Sequence, residues 1–169
     1  MVKLIITRFM SVIGFTSLAL TTTPQAQVIE GQTSWIAGDQ AGILSARADG
    51  WDYGAYIDSV FNKRLDDCLE DAFSTHAMQD CYGRDHGSWE EILTEEYHLR
   101  LSDVSDPEGL REVQRAWVRY RDLKCAFAGS SLGTAGSIAG TSCAAEMARQ
   151  RALEFISSNS CSFIEGCLW

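Results

Sequence analysis

A chain of 169 residues carries 23 acidic side chains against 14 Lys and Arg, a formal net charge of −9. That balance disfavours nucleic-acid backbones and anionic lipid surfaces and would steer a cationic partner inward, though it serves equally well to keep a small protein in solution. The length suffices for one domain with a modest core, and six cysteines, none before Cys68, point to an oxidising compartment.

The chain opens as a secretory signal does. Lys3 and Arg8 form a positive n-region, and Phe9 to Leu20 is an apolar run of twelve residues, too short to cross a bilayer as a helix. The small polar stretch Thr21 to Gln27 follows. Cleavage is expected after Ala26, although Pro24 stands unfavourably at the third position before the cut. An uncleaved N-terminal anchor is the alternative. Residues 1–26 hold two basic side chains and no acid, so the rest of the chain carries 12 basic and 23 acidic groups, a net −11. With no cysteine near the signal, lipid anchoring is not expected. The mature chain is expected to be soluble, in the periplasm or outside the cell.

Residues 27–52 are rich in Gly, Ala and small polar side chains and show no sustained period. They read as a loose N-terminal arm with a short strand or helical turn near Ile43 and Leu44. Trp35 and Trp51 are large aromatics expected to pack back onto the domain. From Tyr53 the period turns helical: Tyr53, Tyr56, Ile57, Val60, Phe61, Leu65 and Leu69 recur at spacings of three and four. This helix is expected to run to about Phe73.

Ser74 and Thr75 can cap the next helix. Gly83 and Gly87 each cost about 1 kcal/mol inside it, and Ser88-Trp89-Glu90-Glu91 reads as a capping box that restarts a helix. Residues 75–101 are therefore one weakened helix or two pieces, the second striped by Trp89, Ile92, Leu93, Tyr97 and Leu101. Asp106-Pro107-Glu108 is a strong helix start. The helix continues through Leu110, Val113, Trp117, Tyr120 and Leu123 to about Ala128. Gly129 to Ser142, with four glycines and many hydroxyls, reads as a flexible loop. A last helix over about 143–157 places Ala145, Ala148, Ala152, Phe155 and Ile156 on one face, and residues 159–169 form a cysteine-containing tail.

The predicted fold is all-α, a small disulfide-stapled bundle of about four helices over residues 53–158, with no internal repeat. Cys125 and Cys143 bracket the glycine-rich loop, Cys68 and Cys81 bracket the turn at Ser74, and Cys161 and Cys167 would close a small tail loop. Six cysteines allow fifteen connectivities; the neighbouring pairs 68–81, 125–143 and 161–167 are the expected ones. Zinc is the rival, but the spacing contains no tight C-x-x-C pair.

Gln114, Trp117 and Arg121 share one helix face. They read either as a polar recognition patch or as an interhelical stacking cluster, and Leu110 and Val113, placed on the same face, favour the cluster. His76, His86 and His98 lack metal-ligand spacing. Glu90, Glu91, Glu95 and Glu96 read as solvated helix acids. The loop serines have no neighbouring base and no G-x-S-x-G frame. No catalytic residue, metal site or cofactor is expected.

Cys68 followed by Thr75-His76-Ala77-Met78-Gln79-Asp80-Cys81 resembles the Cys…Thr…Met…Cys segment of the lysozyme-inhibitor LprI-like family. Asp85, Trp89-Glu90, Leu93-Thr94 and Tyr97 are similar to its acid, Trp-Asp, Leu-Asn and Tyr. Gln114 to Cys125 is similar to its Q-x-A-W-x-x-(aromatic)-R-D-x-x-C, and the Gly/Ser loop, Cys143, Arg151 and Leu153 continue the likeness over residues 68–156. The chain departs in lacking a lipidation cysteine, in Glu90 and Thr94, in the two glycines of the second helix and in the Cys161–Cys167 tail. The resemblance implies a secreted or periplasmic binding protein that inhibits a cationic, lysozyme-type glycan hydrolase, with Trp89, Tyr97, Gln114, Trp117, Arg121 and Arg151 holding the fold. Ser130, Ser131, Thr134 and Ser137 form a candidate partner-contact loop that is equally a plain connection. An envelope structural or interaction protein, or an uncharacterised enzyme, is the alternative.

Overall fold

The computed structural model describes residue 36, residues 40–48 and residues 52–161. Five helices follow in order: α1 (Gln40–Ala48), α2 (Tyr53–Glu70), α3 (Thr75–Asp103), α4 (Pro107–Gly129) and α5 (Gly136–Cys161). A single 3-10 turn, Gly133–Ala135, joins the last two. Among the described residues there is no strand, and no helix is long and apolar enough to cross a membrane. The signal, Trp35, Trp51 and the Cys161–Cys167 pairing lie outside the described residues or side chains.

The helix starts follow from local chemistry. Ser74 and Asp106 accept from the backbone N–H of Ala77 and Gly109 at 3.1 and 3.0 Å, and Pro107 occupies the first turn where its missing N–H costs nothing. Asp52 caps α2 in the same way, through Ala55. Of the two readings, one weakened helix or two pieces restarted at Ser88, the single helix holds. α3 is continuous, and the Ser88 hydroxyl donates back to the Arg84 carbonyl at 2.9 Å within a fully buried site. Burial of Trp89, Ile92 and Leu93 against the core outweighs the propensity of two glycines.

The α4–α5 connection is also shorter than its composition predicts. Only about six residues leave the α-helical path, because α5 begins at Gly136 instead of 143. Hydroxyls that suit a loop are absorbed by the helix: Thr141 donates to Ser137 O at 2.9 Å and Ser142 to Ala139 O at 3.3 Å. Gly129 and Gly136 make the tight turn possible, since a Cβ on Gly129 would lie 2.6 Å from the Gly136 carbonyl oxygen. Gly133 takes a positive φ of 55°, which glycine adopts without strain.

The core unites Ile57 and Phe61 of α2, Trp89, Ile92 and Leu93 of α3, and Ala148, Ala152, Phe155 and Ile156 of α5. Alanines on α5 let it lie close along α3, which is its most extensive partner; α4 packs on the other flank of α5, while α3 and α4 barely meet. A groove therefore opens between α3 and α4. Phe61 meets Trp89 edge-on at 4.9 Å between centroids. Ile36 and Ile43 join this core, so the stretch read as an arm contributes α1 to it.

Two disulfides tie neighbouring helices within two turns of the connections between them. Cys68 and Cys81 join α2 to α3 with Cα atoms 5.8 Å apart, and Cys125 and Cys143 join α4 to α5 at 5.4 Å. The Arg47 guanidinium holds α1 down by bonding Glu95 at 2.6 Å, the Tyr53 hydroxyl at 3.1 Å and the carboxylate of Glu96. Asn159 of α5 donates to the same Glu96 carboxylate at 2.9 Å. Glu96 is thus a buried structural carboxyl and not the solvated acid its sequence context predicts. Burial, reinforced by the neighbouring glutamates, pushes the Tyr53 hydroxyl up to about 12 despite Arg47.

Candidate functional site

α4 has two working faces. Its inner face carries the residues singled out from the sequence. Trp117 is half-buried against the core, with the Arg121 guanidinium over its ring at 5.2 Å. Arg121 pairs with Glu90 of α3. Burial opposes the charged form of Glu90, but His86 and Arg121 outweigh it and hold its carboxyl below the usual range. Arg151 of α5 lies over Phe155 at 4.6 Å and over Trp117 at 5.9 Å, and its Nε donates to Gln114 Oε1 at 3.3 Å. Tyr97 meets Phe155 at 5.9 Å. Gln114, Trp117, Arg121 and Arg151 therefore form one layer that clamps α4 onto α5 and α3, while Trp89 lies in the core and Tyr97 at its edge.

Asp85, one turn before Trp89, is nearly as buried as the core. Burial raises its carboxyl to about 6, partly offset by a hydrogen bond from the Trp89 side chain. Nearby, Arg149 of α5 grips Asp58 of α2 with two nitrogens, the longer contact at 2.9 Å. Among the described residues no three His, Cys, Asp or Glu side chains come together as a metal site.

The outer face of α4 differs from the sequence reading. Val113, placed with Leu110 on the packed face, is exposed, and so are Tyr120, Leu123 and Phe127. These four side chains, with Ala116, recur at intervals of three and four and form a single apolar stripe in water. Leu123 is 71% and Phe127 81% exposed. A helix burying only its inner face gains nothing in the folded chain from a second stripe. The signal was present as a seven-residue recurrence of Val113, Tyr120 and Phe127. Two apolar stripes on one helix cannot be told apart by period alone, so Val113 reads equally well as part of the packed face.

The stripe runs into the α4–α5 turn, where Leu132 also projects. Ser130, Ser131, Thr134 and Ser137 surround it and are all exposed. Ser130 and Ser137 spend their hydrogens on the carbonyls of Phe127 and Thr134, leaving oxygens that accept. The Ser131 and Thr134 hydroxyls make no hydrogen bond among the described residues and can do both. No residue between Lys124 and Glu146 is charged. The tip of the hairpin is therefore a convex knob of apolar carbon and hydroxyls.

Charge is segregated elsewhere. α3 carries Asp80, Asp85, Glu90, Glu91, Glu95, Glu96 and Asp103 against Arg84 and Arg100. The end of α2 adds Asp66, Asp67 and Glu70. α4 reverses the sign, with Arg111, Arg115, Arg119, Arg121 and Lys124 against Glu108, Glu112 and Asp122.

Fold and surface together define a disulfide-braced helical domain whose second helix hairpin presents an unpartnered face. The family model described as lysozyme inhibitor LprI matches residues 66–155, more than half of the chain, and the protein belongs to that family. No curated protein and no solved structure matches it.

Proposed function

We propose that the protein is a secreted or periplasmic binding protein that inhibits a lysozyme-type glycan hydrolase by inserting the α4–α5 hairpin tip into the enzyme's cleft. The observation that carries this reading is the apolar stripe of α4 running into an uncharged, hydroxyl-rich turn. Membership of a family named for lysozyme inhibition supports the choice of partner. A convex knob suits a concave site. Phe127 and Leu132 supply area to bury, and Ser131 and Thr134 supply donors for carboxylates lining such a cleft.

The acidic surface plays a different part. A cationic hydrolase is drawn by the net charge of the chain, mainly toward α2 and α3, which raises the rate of encounter and fades with salt. The tip itself, being uncharged, contributes affinity that salt leaves in place. Lysozyme activity and direct binding, measured with the purified protein at two salt concentrations, test the proposal. Inhibition at both, with slower association at the higher, is expected. Absence of binding at low salt refutes it, and binding without inhibition reduces it to charge attraction.

A further inference from the structure

We propose that the groove between α3 and α4 is a second binding site, specific for an extended acidic peptide segment. The groove has a volume of about 550 Å³ and is lined by Tyr97 of α3 and by Arg111, Gln114, Arg115, Val118 and Arg119 of α4. That volume falls within the range of ordinary ligand sites. It exists because α5 holds α3 and α4 apart, with the Gln114–Arg151 hydrogen bond beside it.

Three arginines recur every fourth residue along this wall, about 6 Å apart by helical rise. An extended chain advances about 6.6 Å per two residues. Carboxylates on alternate residues of such a chain therefore meet successive guanidiniums, while the Tyr97 ring, Val118 and the arginine stems receive its apolar atoms. The chain's own Glu108 already shows the recognition: its two oxygens accept from Arg111 at 3.1 Å and from Arg115 at 3.2 Å. Arg119 has no ion-pair or hydrogen-bond partner among the described residues, and neither has the Gln114 amide nitrogen. These donors stand on the basic helix of a chain with net charge −9, so the arginine column is a local exception to the charge of the molecule. A cationic hydrolase is repelled from this wall, and the site is independent of the hairpin tip.

The test uses the full chain and a labelled peptide, Glu-Val-Glu-Val-Glu, followed by fluorescence anisotropy. Arg115→Ala and Arg119→Ala are each expected to weaken binding up to about fivefold, the range of an exposed ion pair. Glu108→Gln, which frees Arg111 and Arg115, is expected to tighten it. All three side chains are surface groups, and circular dichroism verifies that the variants remain folded. Equal binding of Gln-Val-Gln-Val-Gln, or an unchanged dissociation constant in Arg119→Ala, overturns the site. Displacement by tripolyphosphate at lower concentration than by the unlabelled peptide overturns the assignment to carboxylates. Phe127→Ser is expected to leave peptide binding unchanged, which separates this site from the hairpin tip.

Discussion

Phe127→Ser separates folding from binding at the hairpin tip. The ring is 81% exposed, so it contributes little to the folded state, and its removal should change stability by no more than about 0.5 kcal/mol. Its value lies in what it can still bury. An aromatic side chain offers roughly 150–250 Å², of which about 120–200 Å² remains free here. At about 25 cal/mol per Å², full burial in a complex would be worth roughly 3–5 kcal/mol. Partial burial and the cost of ordering halve that figure, leaving about 2 kcal/mol, or some thirtyfold in affinity. Isothermal titration against lysozyme and a thermal melt of the same sample read both quantities. A loss of affinity near thirtyfold at constant Tm is expected. An unchanged dissociation constant removes the tip from the interface, and a Tm lowered by several degrees means that Phe127 packs on the domain instead of presenting itself to a partner.

Three further outcomes follow from the packing. Asp85 keeps a proton in the folded state up to about pH 6, whereas the unfolded chain releases it near 3.8, so stability falls as pH rises through that window. Asp85→Asn retains the acceptor for Trp89 and removes the charge. Denaturant melts should show it more stable at pH 7.5, by up to about 3 kcal/mol, with a flatter profile between pH 4 and 6; equal stability at pH 7.5 would contradict the burial argument. Replacing Cys125 and Cys143 together by Ser reopens a loop of 18 residues and should cost about 3 kcal/mol by chain entropy, read as a lower denaturation midpoint. The glycines of α3 and of the hairpin should respond in opposite directions to alanine. At Gly87 a Cβ meets nothing within 4 Å and should stabilise by up to about 1 kcal/mol, while at Gly129 it collides with the Gly136 carbonyl and should lower Tm.

Much of the molecule is local in origin, and local chemistry is what a sequence displays. Asp106-Pro107 starts α4 and Ser74 starts α3 because capping and the fixed φ of proline act over a few residues. The apolar periods from Tyr53 and Trp89 announce helices that the fold then builds. Cysteines on either side of a short interhelical connection point to the 68–81 and 125–143 bridges, since helices joined by a short turn lie side by side. Gln114, Trp117 and Arg121 shared a face in the sequence and share a layer in the fold.

What tertiary structure decided is whatever depends on a partner remote along the chain. Ser88 resembles a cap, and only the packing of Trp89 on Phe61 makes it a buried mid-helix hydroxyl. Glu96 looks like any surface acid until Arg47, 49 positions earlier, and Asn159, 63 later, enclose it. Gly136 to Ser142 has loop composition, yet it winds into α5 because two glycines permit close approach and the hydroxyls turn inward on the helix carbonyls. The same holds for function. The period of α4 shows that it is amphipathic, but which of its two apolar stripes faces water was set by where α5 lies, and that choice left Phe127 and Leu123 exposed.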